Sequence, residues 1–175
     1  MENFNFINPT RILFGRGMED AVGEEVARSS RRILLHYGSG SIKASGLHAR
    51  IVASLERAGV DWLELGGVEP NPRLSLVRRG IELCREHGLD FVLAVGGGSV
   101  IDSAKAIAMG TVDDGDVWDF FAGRREATRA LPVGTVLTLP AAGSEASTAS
   151  VITNEDGWIK RGYNSEVLYP KFSIL

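Results

Sequence analysis

Three times in succession this sequence passes through an apolar run, a loop of small residues and a helical pattern, and few folds accept that order. Residues 32–37 (Arg-Ile-Leu-Leu-His-Tyr) stop at Gly38-Ser39-Gly40-Ser41. From 42 to 58, Leu47, Ile51, Leu55 and Ala58 recur at helical spacing, and Gly59 ends that helix. Residues 61–65 read as a second strand stopped by Gly66-Gly67. Beyond Pro70-Asn71-Pro72, a helix puts Leu74, Val77, Ile81 and Cys84 on one face and ends at Gly88. Residues 90–95 are apolar almost throughout, as a parallel strand covered on both faces requires. A third helix runs from Ser99 to about Met109, and a fourth strand, 135–139, ends at Pro140.

Strand, loop and helix in this alternation predict an α/β fold, a Rossmann-like parallel sheet with flanking helices. Residues 11–15 add a strand and 18–28 a helix. Residues 149–153 and 158–163, joined by Asn154-Glu155-Asp156-Gly157, predict a β-hairpin. Another strand begins at Phe172. The 175 residues suit one domain, 1–175, large enough to bury a core. A net charge of -3 argues against nucleic acid as the main partner. Cys84 is the only cysteine, which fits a reducing compartment, so a cytoplasmic location is expected. The N-terminus lacks the basic start and apolar run of a signal segment, and no apolar stretch is long enough to span a membrane.

In an open parallel sheet, ligands bind beyond the carboxyl ends of the strands. The loops leaving those ends, at 38–41, 66–72, 95–99 and 139–144, are all rich in small residues or proline. Gly96-Gly97-Gly98-Ser99 is the sharpest. Three glycines let the backbone turn tightly and approach a ligand, and the helix behind them offers free N–H groups and the positive end of its dipole. That combination suits a pyrophosphate. A second reading stays open: Ser99-Val100-Ile101-Asp102 has capping-box spacing, and capping by Ser99 is compatible with phosphate binding. There is no Gly-x4-Gly-Lys-Ser/Thr, which excludes a P-loop NTPase, and no Gly-x-Gly-x-x-Gly after the first strand.

The segment Leu93-Ala94-Val95-Gly96-Gly97-Gly98-Ser99-Val100-Ile101-Asp102-Ser103-Ala104-Lys105 resembles the Gly-Gly-Gly-Ser-x-x-Asp-x-x-Lys signature of the iron-containing alcohol dehydrogenase family. His36-Tyr37-Gly38-Ser39-Gly40-Ser41-Ile42-Lys43, Glu69-Pro70-Asn71-Pro72-Arg73 and Leu137-Thr138-Leu139-Pro140-Ala141-Ala142-Gly143-Ser144-Glu145 agree with it, in order. The likeness is greatest to butanol dehydrogenases and NADPH-dependent aldehyde reductases. It implies a dehydroquinate synthase-like N-terminal cofactor domain, followed in the family by a helical metal-binding domain that residues 1–175 lack. It also implies that Gly96, Gly97, Gly98 and Ser99 hold the pyrophosphate of a nicotinamide dinucleotide. Asp102 then lies near the nicotinamide ribose, Asn71 on the adenosine side, Thr138 and Ser144 beside the cofactor, and Lys160 on a ribose. Related sequences carry Thr where Ala142 stands and Asn where Ser147 stands. Plainer readings remain beside these. Lys105 is either a ligand contact or the partner of Asp102 in a helix-surface pair. Lys160 is either a ribose contact or a solvated hairpin lysine. Asp102 is either a ribose contact or an acid favoured by the helix start.

The Gly38, Ser39, Gly40, Ser41 loop has no acid to repel a 2′-phosphate, and Lys43 adds charge, so NADP(H) is expected in preference to NAD(H). The family's Fe²⁺ or Zn²⁺ is implied to sit on one Asp and three His, the first just after the strand beginning at Phe172. His36, His48 and His87 are scattered and read as structural or solvated, so no metal ligand is expected here. The whole enzyme would interconvert a small primary alcohol and its aldehyde. Residues 1–175 read as its cofactor half, a truncated piece or gene fragment that binds dinucleotide weakly and does not turn over. Other readings are a non-catalytic nucleotide-binding module, a homodimer formed by self-association or by pairing at 12–14, and a polyol dehydrogenase or dehydroquinate synthase relative. The segment 139–145 argues against the last.

Overall fold

A computed structural model describes residue 3 and residues 7–175; apart from residue 3, the N-terminal stretch read above for a signal segment lies outside it. In chain order the elements are β1 (Arg11–Leu13), α1 (Val22–Ala27), β2 (Arg32–Gly38), α2 (Ser41–Ala44), α3 (Leu47–Arg57), β3 (Asp61–Val68), α4 (Leu74–His87), β4 (Phe91–Gly96), α5 (Gly98–Thr111), α6 (Trp118–Phe121), β5 (Val133–Leu137), β6 (Ala149–Asn154), β7 (Ile159–Asn164) and β8 (Phe172–Ile174). Six strands form one parallel sheet in the order β1-β8-β5-β4-β2-β3, and β6 with β7 forms the antiparallel hairpin.

The sheet is the middle of three layers. Strand residues alternate between its faces. Ile33, Leu35, Phe91, Leu93 and Val95 pack with Ile51 and Leu55 of α3 and Val22 and Val26 of α1. Leu34, Val92 and Ala94 pack on the other side with α4 and α5. Every residue of β4 is buried, as its apolar run foretold. Truncating Phe91, fully buried and stacked on Phe172, to alanine costs about 3–5 kcal/mol on this account. The one polar side chain at the centre of β2, His36, is fully satisfied. Its Nδ1–H donates to the Leu65 carbonyl (2.8 Å) and its Nε2 accepts from the Ser103 hydroxyl (2.8 Å). Burial holds it neutral, pushing its pKa down to about 4 against the Leu65 bond.

Strand order reverses at β2, which lies between β3 and β4. The chain therefore leaves β2 toward α3 on one face and leaves β4 toward α5 on the other, opening a crevice between the two exits.

Several boundaries differ from expectation. The helix expected at 42–58 is broken into α2 and α3 because Gly46 adopts a left-handed φ of 76°. That expected at 18–28 is a 3₁₀ turn, Met18–Ala21, followed by α1. Gly66 and Gly67 do not stop β3. A Cβ on Gly66 would lie 2.5 Å from the Tyr37 ring, so glycine there is a packing requirement inside the strand. Strand β5 starts and ends two residues earlier than 135–139, because Val133 pairs with Val92 and the chain leaves the sheet at Thr138. Helix α6, nucleated by Asp116 accepting from the Trp118 N–H (2.7 Å), had not been expected.

Candidate functional site

A cavity of about 400 Å³ fills the crevice at the carboxyl ends of β2, β3, β4 and β5. Gly38, Ser39 and Ser41 line it from the β2 exit, Gly96, Gly97, Gly98 and Ser99 from the β4 exit, and Thr138 from the β5 exit. Gly40 belongs to the same loop but does not line the cavity. Leu139 and Ala142 line it too, next to Gly97 and Gly98. Two of the glycines, Gly96 and Gly98, are crowded by their neighbours. A Cβ on Gly96 would sit 2.5 Å from Val100 Cγ2, and one on Gly98 would press the Ala142 methyl at 3.0 Å.

Helix α5 begins at Gly98, one residue earlier than expected, with Gly97 as its N-cap. No side chain caps it, so the capping box is not formed. Ser99 is already inside the helix, and Asp102 is turned the other way, accepting from the Val151 N–H at 3.1 Å. The N–H groups of Val100 and Ile101 turn back to the Gly97 carbonyl (3.0 and 3.2 Å). Those of Gly98 and Ser99 remain at the cavity, the usual surplus of a helix start.

Asn71, Asp102, Ser144 and Lys160 lie beside this cavity rather than on its wall. Asn71 adopts a left-handed φ of 59°, and its Oδ1 accepts from Lys160 Nζ at 2.6 Å. The two side chains, 89 residues apart in the chain, are thus in direct contact. Lys160 is exposed, as the plainer reading had it, but is pinned rather than free. Asp102 is buried, with Oδ1 lacking a hydrogen-bond partner among the described residues. Burial raises its pKa, opposed by the Ser144 hydroxyl, Lys105, the Val151 N–H and Lys160. A desolvated carboxylate oxygen without a donor is a vacancy for a hydroxyl or amide of a ligand. The crowded glycines and this orphaned oxygen fit a dinucleotide.

Lys105 corrects both earlier readings. It is neither on the helix surface nor on the cavity wall. It is fully buried, with Nζ donating to the carbonyls of Ser147 (2.6 Å), Ser144 (2.7 Å) and Ala149 (3.0 Å). The signal was present in the sequence: Ala104, Ala106, Ile107 and Ala108 surround it, and α5 is buried from Val100 to Gly110 with no outer face.

Two acids stand around the site without having been singled out by spacing. Glu69 reaches the cavity edge from the end of β3, paired with Arg73 at 3.7 Å. Glu64 holds Lys43 at 3.5 Å, and that ammonium lies 5.1 Å over the Tyr37 ring, away from the cavity lining. Among the described residues, no three His, Cys, Asp or Glu side chains converge to hold a metal ion, and no helix is long and apolar enough to cross a membrane.

An open parallel sheet with a glycine-lined crevice where its strand order reverses defines the class: a Rossmann-like α/β domain. The sequence model of the iron-containing alcohol dehydrogenases matches residues 9–175, and the chain belongs to that family. It is 51% identical, along its whole length, to the probable NADH-dependent butanol dehydrogenase 1 of Bacillus subtilis. It is 40% identical to the NADPH-dependent aldehyde reductase YqhD of Escherichia coli. It spans 45% of the length of each. The crystal structure of NADH-dependent butanol dehydrogenase A from Thermotoga maritima superposes with a TM-score of 0.97 at 48% identity, over 99% of this chain and 44% of that one.

Proposed function

We propose that residues 1–175 form the nicotinamide-dinucleotide-binding domain of an alcohol dehydrogenase that interconverts small primary alcohols and aldehydes. The observation that carries this is the uncapped start of α5 opening into a glycine-lined cavity at the reversal of strand order. Gly96, Gly97, Gly98 and Ser99 hold the pyrophosphate through backbone N–H groups and the helix dipole. Gly38, Ser39, Gly40 and Ser41 take the adenosine ribose end, with Thr138 on the facing wall. Asp102 and Ser144 hold the nicotinamide ribose end, Asp102 accepting a ribose hydroxyl on its free oxygen, while Asn71 lies on the adenosine side and Lys160 on a ribose. When bound, the nicotinamide supplies the hydride donor or acceptor. In this reading the ligands of the family's Fe²⁺ or Zn²⁺ lie outside residues 1–175.

The preferred cofactor is NADP(H). Ser39 and Ser41 offer hydroxyls to a 2′-phosphate, and their loop carries no acid. The named relatives divide, two being called NADH-dependent and one NADPH-dependent. Calorimetric titration with NADPH, NADH and ADP tests the proposal. Binding of all three, NADPH tightest, is expected; no binding of any refutes the site, and NADH binding as tightly as NADPH refutes the preference.

The proposal includes a cytoplasmic location, consistent with the single, buried thiol of Cys84. It also includes a homodimer joined along β1, because that strand ends the sheet with Ile12 48% and the following Phe14 83% exposed. Sedimentation of Phe14→Lys against wild type tests it; a monomeric wild type refutes it.

A further inference from the structure

The loop between β5 and β6 carries Ala142 and Ser144, and little of it is regular: a 3₁₀ turn, Ser144–Ala146, between irregular segments. A loop of that kind needs something to hold it. Its backbone is gathered instead around one point, Lys105 Nζ, which accepts no bond and donates to the carbonyls of Ser144, Ser147 and Ala149, with the Ser147 hydroxyl at 3.5 Å. Among the described residues no carboxylate touches this ammonium; Asp102 and Glu145 act on it only through space, while burial depresses its pKa to about 8. A buried cation without a paired anion is expensive, and carbonyl dipoles are what offset it here. The start of β6, directly after the loop, binds back to α5 at a second place: the Ser150 hydroxyl donates to the Asp102 carbonyl (2.8 Å), and the Val151 N–H to Asp102 Oδ2. The free Oδ1 of Asp102 and the buried Ser144 are thus set by one arrangement, with the ammonium at its centre.

We propose that Lys105 is a positioning residue of the dinucleotide site: its ammonium is an internal cation that folds residues 144–149 around itself, and so fixes Ser144 and the free oxygen of Asp102 for the nicotinamide ribose. The inference rests on the reading of the cavity as a dinucleotide site. It gives a role to a lysine that touches no ligand. It also separates two parts of the site. The pyrophosphate loop depends on the start of α5, whereas the ribose end depends on Lys105, two turns further along the same helix.

Lys105→Met keeps the packed stem and removes the cation. Three measurements on this chain follow: dinucleotide affinity, ADP affinity and amide hydrogen exchange. NADPH affinity is expected to fall about tenfold, while ADP, which lacks the nicotinamide ribose, stays within about twofold of wild type. Exchange at residues 144–149 is expected to accelerate while β4 remains protected. In Lys105→Ala, added alkylammonium ions are expected to restore both. If Lys105→Met does not fold, Lys105→Gln, which keeps two N–H donors without the charge, carries the same comparison. Equal losses for NADPH and ADP, or unchanged exchange at 144–149, overturn the inference while leaving the site reading intact. A wild-type chain that binds neither ligand overturns the site reading itself, and the positioning role with it.

Discussion

Helices α4 and α5 are the same length, 14 residues, follow adjacent units of one sheet and pack against each other on one face of it, yet their N-termini are finished in opposite ways. The start of α4 is closed by a carboxylate from another part of the chain. Glu155, in the turn of the hairpin, accepts from the Ser75 N–H (3.3 Å) and from the Ser75 hydroxyl. The hairpin is fastened there by the Thr153 N–H on the Pro72 carbonyl (2.9 Å) and by Arg73, whose guanidinium lies 4.4 Å over the Trp158 ring. The start of α5 receives nothing: Gly97 caps it with no side chain, and a cavity lies in front. This chain can cap a helix with an acid 80 residues away, so the open end of α5 is a selective feature and not a shortage of partners. An unpaired positive helix end facing a cavity is suited to a ligand's negative charge.

The contrast can be broken by giving α5 the carboxylate it lacks. Gly97 has an extended backbone (φ -87°, ψ -170°), and a Cβ there meets nothing closer than 3.8 Å. Gly97→Asp should therefore fit, cap α5 and stabilise the fold by about 0.5–1 kcal/mol, read as a higher Tm. On the proposed reading the same carboxylate would occupy the pyrophosphate's place, so NADPH affinity should fall about 100-fold. A more stable protein that binds as before would show that the open end is not the ligand's place. A smaller effect sharpens which charge the cavity accepts at its other end. Ser39→Asp should weaken NADPH about tenfold, leave NADH affinity no worse, and so reverse the preference in paired titrations.

The mirror experiment removes the carboxylate of α4. Glu155→Ala should lower stability by about 1 kcal/mol in denaturant unfolding, with ADP affinity unaltered. The smallest effect is its pH dependence. Partial burial acts to raise the Glu155 pKa, but the bonds from Ser75 outweigh it and hold the group below its ordinary 4.5. A depressed folded pKa means that the stabilisation is complete above 4.5 and fades as pH falls through the folded value. The Tm gap between wild type and Glu155→Ala should therefore close in acid, and a gap that widened there would contradict the cap.

The same contrast explains what could be read from the sequence. The layer order, the buried β4, the Gly88 terminus of α4 and the hairpin were legible because each depends on residues near one another in the chain. Gly88 takes φ 60° at the helix end, as its place in the pattern implied. The glycine run at 96–98 was legible as tight backbone, and Gly96 and Gly98 do stand where a Cβ would crowd Val100 or Ala142. The errors came where the deciding partner is distant. Gly66 reads as a stop until Tyr37 lies over it. Ser99 and Asp102 have capping-box spacing, yet Asp102 is claimed by Val151, 49 residues away. Lys105 sits at surface-pair spacing from Asp102, and only the burial of α5 on all sides turns it inward to the loop of Ser144. Nor does either sequence segment announce that Asn71 and Lys160 pair across 89 residues.

The central claim is that the uncapped start of α5 receives the dinucleotide's phosphates. A titration of the isotope-labelled chain with NADPH, followed by amide NMR, tests it most directly. The account predicts saturable shifts at Gly97, Gly98 and Ser99 with Ser75 and Leu76, at the start of α4, left in place. Shifts at the capped α4 start, or none at residues 97–99 under saturating NADPH, would contradict it.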